Sequence, residues 1–222
     1  MIFVNFKTYK EGSGLKAVEL AEICAQVAEA SRVAIIPVVQ VVDLWHIKGH
    51  FPDLEVWVQH LDWYPQGQHT GWVNLEAVIE AGASGTILNH AEHRIPPGSV
   101  KQLIKRLTGF VPVKGGFRVM VCARTLGQAE RLAKLKPDFL AYEPPELIGG
   151  DIAVSEAEPN VIKRIVKKIP DIPIIVGAGV KSSKDVKKSL ELGAVGVLVS
   201  SGVVLAKDQK EALLDLAKGF EK

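Results

Sequence analysis

A carboxylate at the end of an apolar run is the first residue in this sequence placed to do chemistry. Phe139-Leu-Ala-Tyr142 reads as a short buried strand, and Glu143 follows it directly. Pro144 and Pro145 cannot donate to a sheet ladder, so the strand ends there. Leu147 and Ile148 then lead into Gly149-Gly150. A stiff proline pair, an apolar tip and a glycine hinge describe a movable lid with a candidate acid or base, Glu143, at its foot. Another apolar run ends in Asn89-His90-Ala91-Glu92-His93-Arg94. His90 has a side chain that titrates near neutrality and can carry a proton, and Glu92 with Arg94 is expected to brace the cluster as an ion pair. The first run of the chain ends Asn5-Phe6-Lys7. Lys7 offers a flexible cation to an anionic substrate or a developing oxyanion, and strand alternation sets Asn5 on the same side.

Two further strand ends are built from small residues, Gly177-Ala178-Gly179 and Ser200-Ser201-Gly202. Adjacent loops of this kind let backbone N–H groups approach a phosphate. The Gly-x-Gly lacks a third glycine at dinucleotide spacing, so no nucleotide fingerprint is read here. His60, at the end of Leu54–His60, is expected to make a structural hydrogen bond. His46, His50, His69 and His93 show no metal-ligand spacing, and no metal is expected.

The elements that must position these groups repeat along the chain. Apolar runs are expected as strands at 2–5, 33–39, 54–60, 85–89, 117–122, 139–142, 173–176 and 195–199. Between them lie helical patterns such as Leu20, Ile23, Cys24 and Val27, or Val100, Leu103, Ile104 and Leu107 behind a capping Ser99. Strands separated by helices must run parallel, and parallel sheets covered on both faces account for strands that are almost wholly apolar. Eight similar units without a break in composition predict a single (β/α)8 barrel domain over residues 1–222, with an open doubly wound sheet as the other arrangement. In such a barrel the chemistry gathers where strands end.

Composition bounds the function classes. With 27 basic and 25 acidic residues the net charge is only +2, which argues against nucleic-acid binding by bulk charge. The two cysteines, Cys24 and Cys122, fit a reducing compartment and no disulfide framework. No apolar run nears the roughly 20 residues of a membrane span. A soluble, cytoplasmic protein that partners neither nucleic acid nor membrane is expected.

Asn5-x-Lys7, Asn89-His90-Ala91-Glu92-His93-Arg94, Ala141-Tyr-Glu-Pro-Pro-Glu-Leu-Ile-Gly149 and Gly177-Ala-Gly179 together resemble the triosephosphate isomerase family, in the short form found in archaea. Gln59-His60 and His69-Thr70-Gly71 resemble that branch too. The resemblance implies interconversion of dihydroxyacetone phosphate and D-glyceraldehyde 3-phosphate without a cofactor. It implies Glu143 as the base that removes a proton next to the carbonyl, and His90 as the neutral electrophile. Lys7 and Asn5 would hold the anionic substrate, and Phe6 falls within the same binding stretch. Backbone groups around Ile148, Gly149, Gly179, Ser200 and Ser201 would take the phosphate. It also implies self-association through the aromatic loop Trp63–Trp72, with a homotetramer favoured and a dimer as the other outcome.

The sequence departs from the family at three points. Ala91 replaces a usual Ser and removes one hydroxyl near Glu143. The lid reads Ile-Gly-Gly-Asp151 where Ile-Gly-Thr-Gly is usual, and Ser200 replaces a small apolar residue or glycine. Two other readings stand beside the isomerase: a different phosphate-binding barrel enzyme, such as a lyase or a sugar-phosphate isomerase, and a non-catalytic descendant that only binds triose phosphate.

Overall fold

The predicted alternation of strands and helices is realised in a computed structural model that describes residues 1–109, 116–150 and 152–221. The strands are β1 (Ile2–Asn5), β2 (Ile35–Val39), β3 (Trp57–Val58), β4 (Gly85–Leu88), β5 (Arg118–Ala123), β6 (Phe139–Tyr142), β7 (Ile174–Gly177) and β8 (Gly196–Val199). Each pairs in parallel with the next, and β8 pairs with β1, so the sheet closes into an eight-stranded barrel. The helices are α1 (Leu15–Ser31), α2 (Val41–His50), α3 (Leu75–Glu80), α4 (Pro97–Gly109), α5 (Leu126–Ala133), α6 (Val154–Ala157), α7 (Pro159–Lys168), α8 (Ser183–Glu191), α9 (Ser201–Val204) and α10 (Gln209–Lys218).

Period-two alternation sorts the strand residues into two cores. Outward residues such as Ile2, Val4, Val121, Leu140, Val176 and Val197 pack under the helices, against Leu20, Cys24, Val27, Leu103, Ile165 and Leu213. Inward residues fill the barrel: Phe3, Trp57, Met120, Phe139, Ile175 and Leu198 belong to one cluster. At the N-terminal end, Phe3, Trp57 and Phe139 form an aromatic floor, with ring centroids 4.9, 5.6 and 6.0 Å apart. The Arg118 guanidinium lies 5.5 Å from the Trp57 ring and 5.9 Å from that of Phe139. Glu55 pairs with Arg118 and accepts the Trp57 indole N–H at 2.7 Å, which satisfies the polar edge of the floor.

Three local expectations need correction. The third strand is two residues long instead of spanning 54–60. Lys48 Nζ binds the carbonyls of Pro52 and Leu54 at 2.6 and 2.7 Å, so the side chain, not a neighbouring strand, satisfies that stretch. Ser99 lies inside α4 instead of capping it, because Pro97 opens the first turn with a preset φ. The four-residue helices α6 and α9 were not expected, being too short to show a helical period.

Gly85 sits where a Cβ would stand 2.3 Å from Trp57 Cε2 and 2.8 Å from the Arg118 carbonyl. In contrast, Gly49 of α2 has open space where its Cβ would be. Gly85→Ala is therefore expected to lose about 1–3 kcal/mol in urea unfolding by over-packing the floor. Gly49→Ala should hold or gain up to about 1 kcal/mol. Equal effects from the two would disprove the packing account.

Candidate active site

The inward rows do not stop at the core. Continuing Phe3 by one step gives Asn5, continuing Phe139 and Ala141 gives Glu143, continuing Ile175 gives Gly177, and continuing Leu198 gives Ser200. Asn5, Glu143 and Ser200 line a cleft at the C-terminal mouth, together with Lys7, His90, Ile148, Gly149, Gly179 and Ser201, while Gly177 packs against the Glu143 side chain. Nine of the proposed site residues thus meet in one place, from the ends of β1, β4, β6, β7 and β8 and from the lid.

Lys7 arrives by a different route from the one strand alternation suggests. β1 ends at Asn5, and Lys7 adopts a left-handed φ of 49°. Its N–H donates to Asn5 Oδ1 at 3.0 Å, and Gln59 Nε2 donates to its carbonyl at 2.9 Å. The turn carries the ammonium to Glu92 Oε1 at 2.6 Å. Glu92 therefore pairs with Lys7 across the cleft rim and not with Arg94, which is exposed. Phe6 also departs from expectation. It is fully buried on the outward side, in the layer under the helices, because alternation turns it away from the cleft.

His90 is buried at 6% exposure between two carboxylates. The Glu92 N–H donates to its Nδ1 at 3.2 Å, and Nε2 faces Glu143 Oε1 at 3.6 Å. An Nδ1 that accepts a hydrogen bond carries a lone pair, which assigns the neutral tautomer with its proton on Nε2, aimed at the cleft. Burial opposes the imidazolium, while the Glu143 charge, its hydrogen bond and Glu92 favour it. The outcome is a pKa above the ordinary histidine value.

Glu143 is 4% exposed. Burial alone would raise its pKa, but the His90 charge and hydrogen bond, the Cys122 thiol and Lys7 outweigh that and hold it below the usual carboxylate value. Oε1 faces His90, whereas Oε2 is buried without a partner. Gly177 lies under the side chain: a Cβ there would stand 2.5 Å from Glu143 Cγ. Burial and the Glu143 charge raise the Cys122 thiol pKa in turn.

The lid begins with a single 3-10 turn at Pro145–Leu147 and reaches Gly149 with a φ of 73°. Its far foot rests on the strand-seven loop. Val154 N–H donates to the Ala178 carbonyl at 3.2 Å, and a Cβ on Gly179 would lie 2.1 Å from the Ile152 carbonyl oxygen. Ala178 and Gly179 both have left-handed φ, 74° and 71°, so the strand-seven loop turns sharply beneath the lid. Tyr142 O–H, on the outward row, donates to Glu158 at the start of α7 and ties the two feet together. Asp151 lies outside the described residues. His60 makes its expected structural bond, to Asp62 at 3.1 Å, and stacks on His93.

Sequence reasoning did not find the work of Gln59, Tyr142 and Glu158. Their contacts join residues far apart in the chain, or on opposite sides of the lid, and leave no local pattern. Among the described residues no group of three or more metal-ligating side chains occurs, and no helix is long and apolar enough to cross a membrane.

Of the causes that raise the His90 pKa, Glu143 is the largest. Glu143→Gln is expected to move the His90 imidazole titration to lower pH, as followed by NMR. The stability that His90 contributes through the raised pKa is complete below the unfolded-state value and is lost as pH rises through the folded one. The substitution should therefore become less costly across that interval. An imidazole that titrates at or above its wild-type position would refute the pairing.

Comparison with known proteins places this geometry in a lineage. The sequence model described as "Triosephosphate isomerase" matches residues 1–219. A relative named triosephosphate isomerase from Methanothermus fervidus is 43% identical over 220 residues, covering 97% of this chain and 96% of the relative. One of the same name from Methanocaldococcus jannaschii is 39% identical over 222 residues, covering 98% and 99%. Another from Archaeoglobus fulgidus is 40% identical over 220 residues, covering 97% and 96%. On full-length similarity the chain belongs to the triosephosphate isomerase family.

Proposed function

We propose that this chain, acting as one barrel domain, interconverts dihydroxyacetone phosphate and D-glyceraldehyde 3-phosphate by proton transfer through an enediolate. The observation that carries the reading is the Glu143–His90 pair: a buried carboxylate with one unpartnered oxygen, facing an imidazole whose Nε2–H points into the same cleft. A carboxylate held ionised can accept a carbon-bound proton, and a donor at the carbonyl oxygen stabilises the charge that develops there. Glu143 is the base. His90 Nε2–H polarises the carbonyl and moves protons between the two substrate oxygens. A substrate seated between them separates the pair and removes the contact that raises the imidazole pKa. Lys7, held by Asn5 and Glu92, supplies positive charge to the enediolate and the phosphate. Gly149, Gly179, Ser200 and Ser201 offer backbone donors to the phosphate, with Ile148 covering it. The lid excludes water, which would otherwise allow the enediolate to lose phosphate; lids of this family are themselves the familiar example of such gating.

No cofactor is required, because the reaction moves only protons. Glycolysis and gluconeogenesis in the cytoplasm follow as its setting. Self-association is supported by the Trp63, Tyr64, His69 and Trp72 ring cluster, with Trp72 44% exposed. Leu15, Val42 and Trp45 expose further apolar surface, each at least 70% accessible. A homotetramer is favoured, with a dimer as the other assembly.

A coupled assay with D-glyceraldehyde 3-phosphate tests the activity. Glu143→Gln should lower kcat by about 10²–10⁴ while inorganic phosphate still protects the fold against heat. Turnover equal to wild type in that variant would remove Glu143 as the base. Sedimentation should give a multiple of the 24.1 kDa chain, and Trp72→Glu should shift it toward the monomer. A wild-type protein that sediments as a monomer overturns the assembly.

A further inference from the structure

Ser200 carries a buried hydroxyl for which the fold provides no partner. Its Oγ is shut off from solvent and makes no hydrogen bond, although the residue lines the cleft. The side chain continues the inward row of Leu198, which also lines the cleft. The β1–β8 register pairs Val4 with Val199, and its next step sets Ser200 opposite Asn5 at the mouth, in the cleft that Lys7, Ala178 and Gly179 also line. An unmet buried hydroxyl is costly. A residue without a polar side chain would fit the same place more cheaply in the empty protein, so the hydroxyl needs a compensating contact in the occupied one.

We infer that the Ser200 hydroxyl is an additional ligand of the substrate's phosphate group, donating its O–H to a phosphate oxygen alongside the backbone donors of the neighbouring loops. The inference rests on the isomerase reading above and deepens it. It adds a side-chain hydroxyl to a recognition task otherwise shared by main-chain donors and the Lys7 charge. It also predicts an asymmetry: the hydroxyl is a burden to the empty site and a gain to the filled one. Because the phosphate is bound in both the ground state and the transition state, the contact acts on KM and not on the chemical step.

Ser200→Ala in the full-length protein separates these effects. The expected results are a KM for D-glyceraldehyde 3-phosphate about tenfold higher, in keeping with loss of a hydrogen bond to a charged group, and a Kd for inorganic phosphate raised by a similar factor. The melting temperature without ligand should be unchanged or higher. Unchanged KM and phosphate Kd would overturn the inference while leaving the isomerase intact. A lower melting temperature without ligand, with phosphate affinity retained, would overturn it too, because the hydroxyl would then serve the fold. If the wild type binds phosphate but fails to isomerise, the isomerase reading falls. The phosphate measurements on Ser200→Ala then still decide whether the hydroxyl is a phosphate ligand.

Discussion

Keeping an ionised carboxylate ready inside a dry cleft is the constraint to which the rest of the molecule answers. Removing Glu143 from water favours its neutral form, and a neutral carboxyl cannot accept a proton. His90 (which faces Oε1), the Cys122 thiol and the Lys7 charge counter that tendency. The other oxygen stays empty. Each opposing group comes from a different strand end, and only a closed barrel brings β1, β4, β5 and β6 around one point. The cleft therefore depends on closure of the sheet as much as on the identity of its side chains.

Position is enforced by several small contacts instead of one strong one. The Glu92 main chain fixes the imidazole tautomer, while its side chain holds Lys7. Gly177 leaves room for the Glu143 side chain, and Gly179 leaves room for the foot of the lid. Glu92 thus serves two neighbours at once. An expectation that paired it with Arg94 on sequence proximity overlooked a lysine 85 residues away that the barrel brings closer.

The sequence carried the architecture clearly, because period-two and 3.6-residue patterns are local and the strand count closes at eight. It carried the strand-end chemistry of Asn5, Lys7, His90 and Glu143 for the same reason: polar residues stand out at the ends of apolar runs. It failed where three-dimensional context decides. Phe6 stands between two polar residues that line the cleft, yet alternation turns it into the outer core. Lys7 reaches the cleft through a left-handed turn that no propensity for lysine would suggest. β3 is shorter than its apolar run because a side chain from the preceding helix takes the carbonyls.

The aromatic floor has a consequence for traffic. Phe3, Trp57 and Phe139 stop the barrel at one end, and the Arg118–Glu55 pair seals their edge. With the interior beneath it filled by packed side chains, the cleft opens at the strand ends, on the side of the lid. Ile148, Gly149 and Gly150 border that opening, so a molecule on its way to Glu143 and His90 passes the lid.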